Sequence, residues 1–198
     1  MNNFKLDETT NQVVSQARTM KTTNSYGMDF ENWPLDLLVD YVVKFHHRNI
    51  RLQAPEIQAL LDNICSVHGK THPSLYEVRD LFAISCENLD NHLAKEENVL
   101  FPYLYELTDA AVYHQATPPF HCGSVAHPIA VMMNEHDGEE ENFRRISQLT
   151  DGYTAPEDAC ETYCLTLNKL KAFEERLHQH IDVENNVIFP RAIEMQQW

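Results

Sequence analysis

The sequence predicts an all-α protein, an antiparallel up-down-up-down four-helix bundle, and three observations predict it. Apolar residues recur at steps of three and four along four long stretches, as one buried face of a helix requires. One phrase occurs twice, as His92-Leu93-Ala94-Lys95-Glu96-Glu97-Asn98-Val99-Leu100-Phe101-Pro102 and as His180-Ile181-Asp182-Val183-Glu184-Asn185-Asn186-Val187-Ile188-Phe189-Pro190. Finally, a lone histidine precedes each copy by a similar interval: His46 lies 46 residues before His92, and His136 lies 44 before His180. The chain thus reads as two helical hairpins, each setting one single histidine opposite one His-x-x-x-Glu pair.

The totals agree with that fold. A length of 198 residues allows one domain with a substantial core, and 43% hydrophobic content with only 5 glycines suits compact helices. The net charge of -15 repels phosphate backbones and anionic lipid surfaces, so neither nucleic acid nor membrane is an expected partner. The opening residues lack the basic cluster and apolar run of a signal peptide, and no apolar stretch approaches the roughly 20 residues that span a bilayer. Cys65, Cys86, Cys122, Cys160 and Cys164 include no Cys-x-x-Cys; an odd number without zinc-site spacing fits free thiols in a reducing cytoplasm. Cys160 and Cys164 have the spacing of one helix face and read as ordinary core or surface thiols.

Residues 1–31 are polar and read as a tail or a short extra helix, and the bundle domain as 32–198. The first helix opens at Trp33-Pro34-Leu35, with Asn32 able to cap, and carries Leu35, Leu38, Val42, Phe45 and Ile50 inward. His46 sits among these, while His47, about 100° further round a regular helix, points elsewhere. Pro55 is expected to kink or interrupt the helix rather than end it, because Ile57, Leu60, Leu61 and Ile64 continue the face. His68-Gly69-Lys70-Thr71-His72-Pro73 reads as stop, turn and restart. In the second helix Leu75, Val78, Phe82, Ser85, Leu89, His92, Glu96, Val99 and Tyr103 form one stripe. Residues 108–126 break the pattern and are expected to hold a connection, a short helix or a lid, with His114, His121 and Cys122 as ordinary loop residues. Pro128 opens the third helix, which turns Ile129, Met132, His136, Phe143 and Ile146 inward and leaves Asp137, Glu139, Glu140 and Glu141 as a solvated face. The fourth helix is expected to begin near Pro156 and to carry Leu167, Leu170, Phe173, Leu177, His180, Glu184 and Val187 along its buried stripe.

A histidine and a glutamate four residues apart lie one above the other on a helix, so each copy of the phrase offers an imidazole and a carboxylate to one point. Burying two carboxylates and four imidazoles costs several kcal/mol per uncompensated charge unless they are paired or bind metal. The set His46, His92, Glu96, His136, His180 and Glu184 therefore reads as ligands for two metal ions. Imidazole and carboxylate without thiolate suit iron, manganese or zinc. Which histidines share an ion is left open.

Phe45-His46-His47-Arg48, the two long phrases, Glu135-His136-Asp137 and the trailing Arg191-Ala192 together resemble the haemerythrin-like proteins, specifically the iron-sulfur cluster repair family of di-iron proteins. The resemblance covers about residues 32 to 195. It implies two iron ions with an oxo or hydroxo bridge, with His46, His92, His136 and His180 as terminal ligands and Glu96 and Glu184 as bridges. It makes Glu135 a candidate proton relay. It also implies protection or repair of iron-sulfur clusters under nitrosative and oxidative stress, by binding or reducing nitric oxide or by donating iron, with damaged iron-sulfur proteins as partners. A sensor of oxygen, nitric oxide or redox state, and a bundle-type oxidase or peroxide reductase, are the competing readings; whether the chain is an enzyme, and whether it is a monomer or a homodimer, stays open. Typical members of the repair family carry an amino-terminal domain with a cysteine pair. The corresponding Tyr26-Gly27-Met28-Asp29-Phe30-Glu31-Asn32 has no cysteine, so that domain is expected to be lacking here.

Overall fold

The computed structural model describes residues 30–121 and 123–197. The chain is an all-α, antiparallel four-helix bundle, as its periodicity predicts. Helix α1 runs through Leu35–Tyr41, Val42–His47 and Arg48–His68, and α2 through Ser74–Lys95, Glu96–Leu100 and Phe101–Val112. Helix α3 is Ala126–Leu149, and α4 runs through Glu161–Val183, Glu184–Ile188 and Phe189–Gln196. The middle segments of α1, α2 and α4 are π-helical. Among the described residues, no helix is long and apolar enough to cross a membrane.

By internal packing the chain divides into two compact units. Among the described residues, the first draws on 30–43, 95–121, 123–135 and 179–197. Its core holds Leu38, Val42, Phe101, Leu104, Ile129, Ile188 and Phe189, all buried. Phe30, which the sequence leaves in the polar tail, is buried here and packs on Trp33 and Tyr41. The rest of the expected tail, residues 1–29, lies outside the described residues. Helix α2 continues to Val112, past the expected break at Thr108, because Leu107 and Ala110 keep its apolar face buried. The short helix allowed for in the following connection is not seen among its described residues. Tyr103 donates to the Pro118 carbonyl at 2.9 Å and Phe120 packs on the Tyr103 ring. Gln196 donates to the Tyr103 oxygen and accepts from the Val125 amide, both within 2.9 Å. These contacts pin the connection at both ends.

The second unit comprises Lys44–Ala94 and His136–His178. Phe82, Phe143 and Phe173, one from each of three helices, form a mutual aromatic cluster with centroids 5.4 to 6.3 Å apart. Helix α1 runs through Pro55 without a break and buries Ile57, Leu61 and Ile64 beyond it. It stops at Gly69, where any side chain would overlap the Cys65 carbonyl and the Tyr76 ring, so the turn needs glycine for space rather than for its backbone angles. Helix α4 starts at Glu161, later than the expected Pro156: Asp151, Gly152 and Tyr153 take positive φ angles and hold the preceding turn out of helix.

Candidate metal centre

Glu96, His180 and Glu184 are 0% exposed, His136 is 2% and His92 is 3%. Two overlapping groups bring their ligand atoms within 4.8 Å of one another: His92, His136, His180 and Glu184, and then His47, Glu96, His180 and Glu184. His180 and Glu184 belong to both. Within the first group the Nε2 atoms of His92 and His136 approach to 3.0 Å, and His180 Nε2 lies 3.3 Å from Glu184 Oε2. Two sets of nitrogen and oxygen donors that overlap at a carboxylate fit a pair of metal ions. Two fully buried carboxylates this close would repel strongly unless cations lay beside them. The donor set therefore fits a di-iron site.

The π turns place several of these side chains. Each repeated phrase ends in Phe-Pro, and a proline inside a regular helix would strike the carbonyl four residues back. The wider turn relieves that clash: the amide of Phe101 reaches the Glu96 carbonyl and that of Phe189 reaches the Glu184 carbonyl, each across five residues. Glu96 and Glu184 are thus the first residues of two matching π segments. The extra residue also changes which side chains face inward. Val99, expected inward, is 41% exposed, and its neighbour Leu100 is 1% exposed instead.

The same effect separates His46 from His47. A regular helical period gives His46 as the ligand and turns His47 away. The π segment Val42–His47 carries His47 round, fully buried, into the second ligand group. His46 belongs to neither group. It is 3% exposed, lines a small cavity with Phe45, Ile50, Phe173 and Arg176, and donates to the Arg176 backbone carbonyl. Burial, with His47 beside it, pushes its pKa down to about 4.

Two acids flank the third helix's histidine. Glu135 forms an ion pair with Lys95 and its side chain is 29% exposed. Glu139, read from the sequence as part of a solvated face, is 4% exposed: Asn88 Nδ2 donates to its Oε1 at 3.0 Å, and Ser85 bonds it as well. Burial holds its pKa above the usual carboxylate range, while Ser85, Asn88, His92 and His136 pull the other way. The signal for it was present in the spacing, since Met132, His136, Glu139 and Phe143 form one helical stripe. The rest of the acidic run, Asp137, Glu140 and Glu141, is exposed as expected. His114 and His121 are exposed and join no ligand group among the described residues; Cys122 lies outside them.

The model of the hemerythrin HHE cation binding domain matches residues 38–192 of this chain. The chain belongs to that family of cation-binding domains. Among curated proteins it is similar to the iron-sulfur cluster repair protein YtfE of Yersinia pseudotuberculosis serotype IB (strain PB1/+), with 29% identity over 189 residues, 96% of this chain and 80% of that protein. It is 31% identical over 166 residues to the iron-sulfur cluster repair protein YtfE of Musicola paradisiaca (strain Ech703), covering 82% of this chain and 69% of the relative. The YtfE of Yersinia pestis matches at 29% identity over 189 residues. The resemblance read from the two repeated phrases, to haemerythrin-fold proteins of the YtfE-like group, is borne out.

Proposed function

We propose that the chain is a cytoplasmic di-iron protein that protects or repairs iron-sulfur clusters under nitrosative and oxidative stress. The observation that carries this reading is the pair of overlapping His/Glu groups, free of thiolate and sharing His180 and Glu184, in a chain similar to proteins named for iron-sulfur cluster repair. In this reading His47, His92, Glu96, His136, His180 and Glu184 would together hold the two irons. The group held would be two irons with an oxo or hydroxo bridge. When bound, the irons would supply electrons and a binding point for a small diatomic ligand such as nitric oxide or oxygen.

The remaining work falls to the chain. The buried stripe around the ligands keeps water from the donors and holds the two carboxylates in place. Glu139 anchors α3 to α2 beside the ligand histidines through Asn88 and Ser85. Glu135, adjacent to His136 in sequence and half-buried, is the residue assigned to proton delivery. All first contacts to iron here come from nitrogen and oxygen, which hold iron less firmly than thiolate, and this supports donation to damaged iron-sulfur proteins as one route of repair.

Anaerobic titration of the diferrous protein with nitric oxide, followed by incubation with a nitric-oxide-damaged iron-sulfur enzyme, tests the proposal. Recovery of that enzyme's activity that requires Glu96 and Glu184 is expected. Reversible gas binding with no recovery would make the protein a sensor, and rapid peroxide consumption with no recovery would make it an oxidase or peroxide reductase; either result overturns the repair reading.

A further inference from the structure

The second unit holds a group of reactive side chains that the metal centre does not use. Cys160 is exposed and directly precedes Glu161, the first residue of α4. Its carbonyl accepts the amide of Cys164 at 3.1 Å, so it occupies the N-cap position. There the sulfur accepts the backbone amides of Thr162 and Tyr163. From the end of α1, His68 sets its Nε2 3.2 Å from Cys160 Sγ. A second pair stands beside the first: His72 Nε2 lies 2.9 Å from Asp158 Oδ1. The Tyr163 ring packs on both imidazoles, with centroids 5.3 Å from His68 and 5.7 Å from His72.

These contacts have a chemical meaning. A thiolate is the reactive form of cysteine, and it is favoured by an adjacent imidazole and by the amides at a helix N-terminus. Cys160 has both and is open to solvent. Hydrogen bonding from His68, then from the Tyr163 amide, holds its pKa below the usual thiol range. Among the described residues, the other cysteines lack this combination. Cys65 is buried and donates to the Leu75 carbonyl at 3.3 Å, and Cys164 is half-buried inside the helix. Metal binding is not what the geometry favours: among the described residues, only the two groups at the metal centre bring three or more such ligand atoms within 4.8 Å.

We propose that Cys160 is a nucleophilic thiol activated by His68, a site of thiol-disulfide exchange with small-molecule disulfides of the glutathione type. In the exchange the Cys160 proton passes to His68, and the sulfur attacks one sulfur of glutathione disulfide. A new sulfur-sulfur bond forms to Cys160 as the old one breaks. The departing glutathione sulfur carries away the bonding electron pair and takes the proton back from His68. One thiol and one disulfide enter, and one mixed disulfide and one thiol leave. Cys160 is oxidised and half of the glutathione disulfide is reduced, with no other reagent.

The test uses the full iron-loaded chain, incubated with glutathione disulfide at roughly pH 6 to 9, with the adduct mapped and timed by mass spectrometry. The expected adduct is on Cys160, formed at neutral pH about tenfold faster than on Cys164. Replacing His68 by Gln, or by Asn should the first variant fold poorly, is expected to slow it about fivefold or more at neutral pH. The same change should move the midpoint of the rate profile up toward the ordinary thiol value of about 8.5, with rates converging at high pH. His72→Gln, which spares the imidazole at Cys160, should leave the midpoint in place. Equal rates at Cys160 and Cys164, or a midpoint that H68Q does not move, would overturn the proposal. So would one equivalent of zinc retained by the wild type and lost in C160S, which would make the cluster a metal site.

Discussion

Replacing Glu96 by Gln keeps the side chain's shape and removes its charge, and the consequence should reverse sign with metal. Glu96 and Glu184 are both fully buried, and their ligand oxygens lie within 4.8 Å. At an effective dielectric constant of about 20, two carboxylates at that separation repel by about 3.5 kcal/mol. His180, 3.3 Å from Glu184, offsets part of that when protonated. The metal-free protein should therefore gain about 1 to 3 kcal/mol from the substitution. In the iron-loaded protein the same carboxylate faces cations, and its loss weakens binding. A hundredfold loss of iron affinity removes about 2.7 kcal/mol of linked stability. Urea unfolding of both forms, followed by far-ultraviolet circular dichroism, reads the two changes side by side. Destabilisation in both forms, or stabilisation in both, would refute the placement of Glu96 against metal.

His47 belongs to a ligand group and His46 does not, so His47→Ala should lower iron to about half while His46→Ala leaves it nearly intact; elemental analysis giving the opposite ranking would return the ligand role to His46. Gly69→Ala should cost about 1 to 3 kcal/mol, because its methyl meets a backbone carbonyl that cannot move aside; thermal unfolding within a degree of wild type would contradict this. Burial, with Glu139 nearby, pushes the Cys86 thiol up to about 12, so it stays protonated far above neutral pH. Native alkylation should therefore spare Cys86 up to about pH 9 while Cys160 reacts, and Cys86 labelling at the rate of the unfolded chain would refute its burial.

Much of this structure was legible in the residues. The stripes of α3 and α4 obey an unbroken helical period from Ile129 to Ile146 and from Leu167 to Glu184, and every position read as inward there is buried. The pairing of His180 with Glu184 follows from four-residue spacing alone, whereas His92 and Glu96, equally spaced, fall in different ligand groups. Legibility ended where the helix stops being regular. A π turn adds one residue to the winding, so a constant 100° per residue places Val99 inward where Leu100 is buried, and it turns away His47, which joins a ligand group. In the two repeated phrases the signal was the closing Phe-Pro, which favours a wider turn ahead of it; no proline closes Val42–His47, and Pro55 sits within regular helix. Glu139 was passed over for another reason: one buried acid inside an exposed acidic run is hidden by its neighbours unless its own place on the stripe is weighed. Likewise, the sequence separates Cys160 from His68 by a long interval, and only the fold brings the thiol to its base.

Elemental analysis of the anaerobically reconstituted and desalted chain, beside its His180→Ala variant, bears most directly on whether these side chains clasp a pair of ions. His180 belongs to both ligand groups, so two irons per wild-type chain and loss of both in the variant are expected. A single iron in the wild type, or an iron content that H180A leaves unchanged, would contradict a di-iron centre built on these residues.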